Sequence, residues 1–219
     1  MKSVTMMMVD GGKFNDDYVE RIVRTANHCR RLMTDWPMRL LLHRAPRIEC
    51  HCDWFIIPRI WHPGAPAFAE YTYAQLLPFL FETSHVLFMQ PDGYILHPEK
   101  WQDHWLDFDY IGAPWSTNRA FITNPDRRVG NGGFCLQSRE FTKAVSTLLR
   151  KYPVTAPFDT WVCDNHAAEI ERLYWMRFAD IETAIHFSFE EPVNEFPDWK
   201  ADYSFGFHNC KHPGLPKEN

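Results

Sequence analysis

The segment LFMQPDGYIL (87–96) ends an apolar run at a lone carboxylate, Asp92. A carboxylate at a strand end, followed by Gly93, which allows close approach to the backbone, suits a hard divalent cation such as Mg²⁺ or Mn²⁺. Asp-Gly is also a common turn dipeptide, so a structural turn is the alternative interpretation. The segment SVTMMMVDG (3–11) ends in the same way, at Asp10.

A second motif, VGNGGFCLQSR (129–139), places Gly130, Gly132 and Gly133 around Asn131. The spacing matches neither the dinucleotide fingerprint GxGxxG nor the phosphate-binding pattern GxxxxGK[ST]. Glycines leave the backbone bare, so the motif predicts either close approach of the chain to a bulky ligand or a tight hairpin turn.

A third motif, DYSFGFHNCKH (202–212), carries a histidine close to the C-terminus. Imidazole is a good ligand for Mn²⁺-like ions, so His208 could complete a metal site that begins at Asp92. A histidine packed in a C-terminal cap is the alternative interpretation.

Alternating strands and helices must position these residues. Apolar runs predict strands within 3–11, 38–45, 53–60, 85–93, 108–115, 129–138 and 184–190. Helical spacing predicts helices over 16–33, 69–84 (bent or broken at Pro78), 139–152 and 158–175. This order indicates an α/β fold with a mostly parallel central sheet, in which ligands bind beyond the carboxyl ends of the strands. Asp10 and Asp92 both lie at such predicted ends.

Composition restricts the classes of protein further. The 219 residues include 45% hydrophobic ones, and no linker, low-complexity run or internal repeat divides the chain, so we expect one domain over 1–219. The net charge of −5 argues against binding nucleic acid by bulk electrostatics, and a local basic cleft is the alternative that this charge leaves open. Nine Trp residues indicate either stacking surfaces for ligands or a Trp-rich core.

The cysteines and the N-terminus bear on location. None of the six cysteines forms a CxxC pair, and Cys50-His51-Cys52 is too tight for a usual zinc knuckle, which favours buried thiols in a reducing compartment. The apolar run in MKSVTMMMVDGG (1–12) is too short for a signal peptide or a membrane span. We therefore expect a cytoplasmic protein.

Taken in order, the segments SHVLFMQPDGYILHPEKW, FDYIGAPW, VGNGGFCLQSR, FDTWVCD and FSFE…SFGFH resemble the signature blocks of a glycosyltransferase-like family of the GT-A fold, over roughly residues 69–210. The resemblance implies a single GT-A-like (Rossmann-like) domain, with helices flanking the sheet. Residues 1–93 would form its nucleotide-binding half and residues 94–219 its acceptor-binding half. The implied reaction transfers a sugar from a nucleoside-diphosphate sugar donor to the hydroxyl of a glycan or another acceptor, with Mn²⁺ or Mg²⁺ as the cofactor.

The resemblance also implies a metal site. Such enzymes hold the metal with an Asp-x-Asp motif, which here reads Gln90-Pro91-Asp92, so the first acid is missing and Asp92 corresponds to the last. His208, in FGFH, matches the C-terminal histidine that serves as a further metal ligand.

Asp159, in PFDTW, matches the acidic position of the family and would act as the general base, which favours an inverting reaction. Its alternative role is a helix N-cap, and Asp164 is the second candidate for the base.

The remaining implied contacts concern the donor and the acceptor. Val9 and Asp10 lie where the base and ribose of the donor are commonly contacted, and Gly93 would let the diphosphate approach. Arg44 and Arg59 are candidate diphosphate partners or plain surface charges. Asn131, Gly132 and Gly133 would line a sugar, and Trp115, in GAPW, could stack on a sugar face.

Two other functions compete with the transferase. A catalytically silent module that binds carbohydrate or nucleotide would keep the fold, and the missing first acid of the metal motif favours it. A phosphohydrolase would use the same cation, but the sequence lacks the clustered acids or the His-x-His pair that a two-metal site needs.

Overall fold

The computed structural model describes residues 3–10, 16–57, 80–155 and 157–208. Its strands are β1 (Val4–Val9), β2 (Met38–Leu42), β3 (Asp53–Ile56), β4 (His85–Met89), β5 (Gly93–Ile95), β6 (Tyr110–Ile111), β7 (Phe134–Ser138), β8 (Ser188–Phe189) and β9 (Gly206–His208). Its α-helices are α1 (Asp16–Leu32), α2 (Arg139–Leu149), α3 (Phe158–Thr160), α4 (Ala167–Tyr174) and α5 (Ile181–Phe187). Between α3 and α4 the chain forms a π-helical turn, Trp161–Asn165, and three short 3₁₀ helices span Pro98–Lys100, Asp103–Asp107 and Ala201–Tyr203.

Six strands form the central sheet, in the order β3-β2-β1-β4-β7-β6. β1 pairs in parallel with β2 and β4, and β2 pairs in parallel with β3. β7 is antiparallel to both of its neighbours, β4 and β6, so five of the six strands run in one direction. The predicted α/β fold with a mostly parallel sheet is therefore confirmed.

The central strands are buried on both faces because helices cover both sides of the sheet. Along β1, Met6 and Met8 belong to one hydrophobic cluster, whereas Met7 and Val9 belong to another. The apolar stripe of α1 packs in the first cluster and that of α2 in the second. This packing explains why the strands read as continuous apolar runs with no polar alternation.

A second, three-stranded sheet has the order β5-β9-β8. β5 is antiparallel to β9, and β8 is parallel to β9. Phe205 and Phe207 tie this sheet to the hydrophobic cluster under α1. The small sheet thereby fixes the C-terminal segment against the strand that follows the QPDG turn.

Two predicted elements differ from the structure. The segment 184–190, predicted as a strand, is the end of α5 followed by the short β8. The Asp180 side chain accepts a hydrogen bond from the backbone N–H of Thr183 at 2.7 Å, which caps the helix. The predicted helix over 158–175 is divided by the π-helical turn.

The predicted helix over 69–84 falls mostly outside the described residues, as does Pro78; residues 81–84 are not helical. Within the described segments, no helix is both long enough and apolar enough to cross a membrane.

Candidate functional site

The candidate site lies at one edge of the central sheet, which we call the sheet rim. β1 and β4 end there, and they are followed by Asp10 and by the turn that carries Asp92. Because β7 runs antiparallel to β4, its beginning lies at the same edge, and with it the loop Asn131–Gly133. The N–H of Gln90 donates to the carbonyl oxygen of Gly133 at 2.8 Å, which joins the turn to the loop.

Asp92 and His208 come together at this rim. The pairing of β5 with β9 puts Gly93 opposite His208, and Asp92 Oδ1 lies 3.4 Å from His208 Nε2. The hydrogen bond and the charge of His208 hold the pKa of Asp92 below its usual range, so the carboxylate is ionised at neutral pH. Both side chains are partly exposed and can be reached from solvent.

The pair fits a divalent cation. Adjacent ligands on an octahedral ion with bonds near 2.1 Å lie about 3.0 Å apart, close to the separation of the two atoms. His208 Nδ1 is buried and has no hydrogen-bond partner among the described residues. The same residues contain no group of three or more His, Cys, Asp or Glu able to hold a metal, so substrate oxygens and water would have to complete the shell, as Mg²⁺ commonly requires.

The glycines of the loop make room for its neighbours. A Cβ atom on Gly133 would lie 2.3 Å from the ring of His208, and one on Gly130 would lie 2.0 Å from the ring of Trp115. Asn131 adopts a left-handed conformation with φ of 61°, and its Oδ1 accepts from the N–H of Gly133 at 2.8 Å. Gly130 and Gly133 therefore allow the rings of Trp115 and His208, respectively, to pack directly against the backbone of the loop.

The predicted sugar-stacking role of Trp115 is wrong for this structure. Trp115 is 2% exposed, with Gly130 against its ring and Phe121 edge-on at a centroid distance of 5.1 Å. Its ring therefore presents no face to a sugar. Trp105, Trp161 and Trp199 are also buried, so four of the eight described tryptophans lie in the core.

Asp159 lies in the first turn of α3, beside the loop. Its Oδ2 accepts from the N–H of Gly132 at 3.3 Å, and its Oδ1 accepts from the N–H of Thr160 at 2.9 Å. Pro157, and not Asp159, occupies the N-cap position. The partly exposed side chain of Asp159 thus reaches the sheet rim.

Asp164 does not share this position. It is buried, and its two carboxylate oxygens accept from the backbone N–H and the hydroxyl of Thr123, at 2.9 and 2.8 Å. Both oxygens are therefore used to anchor the loop that follows β6, which corrects its prediction as the second candidate base.

The part of the rim where the sequence predicts contacts with a donor nucleotide is formed by β1 and α1. Asp10 is fully buried and hydrogen-bonds to His43 Nδ1. Burial, together with the charges of Asp10 and Asp92, raises the pKa of Tyr18 to about 12, while Arg21 acts in the opposite direction. Tyr18 therefore lies near both acids, and Arg21, one helical turn further along α1, lies near Asp92. Neither residue is predicted from the sequence as part of the site, although their spacing on the helix after β1 is a usable signal.

The other residues predicted at this end are placed differently. Val9 is buried in the core. Arg44 forms a two-pronged pair with Glu20, at 2.6 and 3.1 Å, so its guanidinium is already engaged. Arg59 lies outside the described residues.

A second acid, Glu190, was also missed. β8 and β9 are in register with Phe189 opposite Phe207, so Glu190 follows beside His208. Arg119 contacts Glu190 Oε1 at 3.3 Å and Glu191 Oε1 at 2.7 Å. Burial raises the pKa of Glu190, while Asn131, Arg119 and His208 oppose that shift. Its place as the last residue of FSFE, one of the segments that carry the family resemblance, was the available signal.

Comparison with known proteins gives a family and a fold. Residues 70–208 match a family model described as "Protein of unknown function (DUF5672)". No curated protein matches the chain.

Three similar solved structures are glycosyltransferases. One is involved in glycosylation of the major capsid of PBCV-1; it is 12% identical, with 95% of this chain and 93% of that chain covered and a TM-score of 0.50. The galactosyltransferase LgtC, in complex with donor and acceptor sugar analogues, is 11% identical over 94% and 87% of the two chains, with a TM-score of 0.49. Apo GlyE of Streptococcus pneumoniae TIGR4 is 13% identical over 95% and 54%, with a TM-score of 0.46.

At 12% identity, the similarity to the viral enzyme shows the fold alone, which is GT-A. Because the family model matches more than half of its length, the chain belongs to the DUF5672 family.

Proposed function

We propose that this chain is a glycosyltransferase that moves a sugar from a nucleoside-diphosphate sugar to an acceptor hydroxyl. The observation that carries the proposal is the approach of Asp92 and His208, whose nearest side-chain atoms lie 3.4 Å apart at the sheet rim. These residues are 116 positions apart in sequence, and two strands have to pair to bring them together. A GT-A fold around this pair supports the same reading.

The donor diphosphate would lie against Asp92 and His208, which would hold Mn²⁺ or Mg²⁺. When bound, such an ion acts as a Lewis acid that stabilises charge on the diphosphate oxygens. Arg21 and Tyr18, which lie on α1 near Asp92, are described residues that could donate hydrogen bonds to phosphate or ribose. Gly132, which is partly exposed, would line the transferred sugar, whereas Asn131 is 2% exposed, which corrects its prediction as a sugar contact.

Asp159 is the proposed general base. In the transfer, the acceptor oxygen forms a bond to the anomeric carbon as the bond from that carbon to the diphosphate oxygen breaks. The electron pair of the broken bond leaves with the diphosphate, and the hydroxyl proton passes to the carboxylate of Asp159. A base on the acceptor side and a single displacement give inversion at the anomeric carbon.

The second candidate function is a silent module that binds carbohydrate or nucleotide. Gln90 stands in place of the first acid of the metal motif, and Asp92 and His208 are two ligands where a tight site needs more from the protein. A module of this kind would bind the nucleotide without turning over a nucleotide sugar.

The test measures thermal stability with UDP or GDP, each with and without Mn²⁺. Saturating ligand at one hundred times its Kd stabilises a protein by about 2.7 kcal/mol, which raises Tm by about 5–10 °C at this chain length. We expect this rise only when Mn²⁺ is present, and we expect Asp92→Ala to abolish it. Asp35→Ala, which removes an exposed carboxylate from the turn after α1, is the matched control and should keep the rise.

A rise that survives Asp92→Ala would remove Asp92 from the metal site. The silent module is separated by incubating nucleotide sugars with Mn²⁺ and a panel of glycan acceptors. A transferase releases nucleoside diphosphate in proportion to glycosylated product. Binding without any release would favour the module, and release at full rate without an acceptor would favour a hydrolase.

A further inference from the structure

A separate cavity of about 360 Å³ opens between α5 and residues 195–203. It lies at the beginnings of β8 and β9, because Ile185 and His186 precede β8 and Tyr203 precedes β9. Glu190 and His208 stand at the other ends of these strands. The cavity and the sheet rim are thus at opposite ends of the same two strands. Its volume falls within the range of about 300–1,000 Å³ that is usual for small-molecule sites.

The inner wall of the cavity is aromatic carbon. Trp199 is 4% exposed, and its Nε1–H donates to the carbonyl oxygen of Ile185 at 3.0 Å and to Ser204 Oγ at 3.1 Å. Because the indole is buried and its N–H is satisfied inside the protein, Trp199 forms an apolar floor, and the rings open to a ligand are those of Phe196 and Tyr203. Phe196 adds a second ring, and Tyr203, which is 56% exposed, forms an aromatic edge at the mouth.

The polar groups that line the cavity are Glu195, Asp198 and His186, besides the hydroxyl of Tyr203. Glu195 is fixed by an ion pair with the buried guanidinium of Arg128. Asp198 is exposed. The described lining contains neither Lys nor Arg, so an anionic ligand would meet two carboxylates with no opposing cation in the lining.

We infer that this cavity binds a neutral sugar ring, as part of the glycan acceptor; the identification of the ligand as an acceptor rests on the proposed function. A pyranose has an apolar C–H face and a rim of hydroxyl donors. The aromatic wall matches the first, and the carboxylates of Glu195 and Asp198 match the second as hydrogen-bond acceptors. The cavity is therefore a carbohydrate subsite at a distance from the rim.

The test is saturation-transfer NMR with methyl glucoside, methyl galactoside and methyl mannoside, without nucleotide or metal. At least one of them should receive saturation at its ring protons. Tyr203→Ala should weaken its binding by about twofold to tenfold, the range of an aromatic contact, and Asp198→Asn should also weaken it. Both residues are exposed, so the variants should keep the Tm of the parent chain.

Trp175→Ala is the matched control, because Trp175 is an exposed aromatic that does not line the cavity. It should leave saccharide binding unchanged. Binding that is equal in the parent chain, Tyr203→Ala and Asp198→Asn would overturn the proposal, as would absence of binding by all three glycosides. Binding of spermidine in place of the glycosides would reassign the cavity to a cationic ligand.

Asp92→Ala distinguishes this proposal from the proposed transfer. It should abolish the nucleotide-dependent rise in Tm and leave glycoside binding intact, because the cavity and the rim do not share residues. If nucleotide raises Tm but no glycoside binds, the carbohydrate subsite is overturned and the proposed transfer stands. If a glycoside binds but nucleotide does not raise Tm, the proposed transferase function is overturned and the cavity stands as a carbohydrate-binding site.

Discussion

At the scale of single residues, the glycines of the rim loop differ in what surrounds them. A Cβ atom on Gly133 would lie 2.3 Å from the His208 ring, whereas the nearest atom to a Cβ on Gly132 is the Asp159 Cβ at 3.4 Å, an ordinary contact. The two positions are adjacent in sequence but sterically unequal. They therefore form a natural pair of variants for testing whether the position of His208 matters.

Gly133→Ala should displace the imidazole of His208 from Asp92, because the added methyl group cannot share its space. We expect the Mn²⁺-dependent rise in Tm with UDP or GDP to fall by more than half. Gly132→Ala should keep that rise. Thermal shift with and without Mn²⁺ measures both variants. An unchanged rise in Tm for Gly133→Ala would show that binding of metal and nucleotide does not depend on the position of the His208 ring.

Individual residues also show where sequence reasoning stops. Asp92 could be singled out because a strand that ends at Pro-Asp-Gly is visible in one stretch of sequence. The burial of Trp115 could not be predicted from the sequence, because it depends on a loop that brings Gly130 against the ring. Arg119 and Glu190 meet across 71 residues, and neither position carries a local pattern that predicts the contact.

At the scale of elements, the spacing of apolar residues and the length of the apolar run decide how well the secondary structure of a segment is predicted. Long apolar runs such as β1 and β4 are recovered because burial on both faces leaves no alternation to misread. The segment 184–190 was misread because buried Ile185 and Phe187 alternate like a strand, while Ala184 adds the spacing of a helix face. The cap at Asp180, four residues before that segment, decides for the helix.

The contact of α1 with the loop after β2 gives a prediction about pH. The hydrogen bond from Arg44 holds the pKa of Glu20 at about 2, below its usual 4.5. A lowered pKa in the folded state means that the pair stabilises the fold above about pH 4.5 and loses this effect as the pH falls toward 2. Glu20→Gln should therefore lower the free energy of unfolding by about 1–2 kcal/mol at pH 7, since the pair is partly buried.

Urea unfolding of both chains from pH 7 to pH 3 measures this effect, and the difference between them should narrow below pH 4.5. Glu140→Gln is the control, because Glu140 pairs with Lys143 on the exposed side of α2. Its effect should stay within about 0.5 kcal/mol throughout. If the difference in the free energy of unfolding between Glu20→Gln and the parent chain stays constant from pH 7 to pH 3, the substitution removes packing contacts and not a charge interaction.

At the scale of the whole molecule, the site depends on the direction of β7 in the sheet. This direction cannot be predicted from the sequence of any single segment. Apolar composition predicts that 134–138 is a strand, but not that it runs against β4. The reversal brings the loop 131–133 to the edge where β4 ends, and the small sheet adds residues 206–208 to the same edge. Three segments far apart in sequence therefore form one rim.

This arrangement predicts that the rim responds to ligand as one unit. Mn²⁺ with UDP or GDP should slow hydrogen exchange together in peptides covering 88–96, 130–136 and 203–208, because a ligand held by Asp92 and His208 must be released before these segments open. Peptides of α2 serve as the internal reference and should exchange at an unchanged rate. The nucleotide without metal should have no effect, and Asp92→Ala should remove the protection from all three segments at once. Protection confined to one segment would mean that the ligand touches only that part of the chain, and the small sheet would then hold the C-terminal segment in place without serving the site.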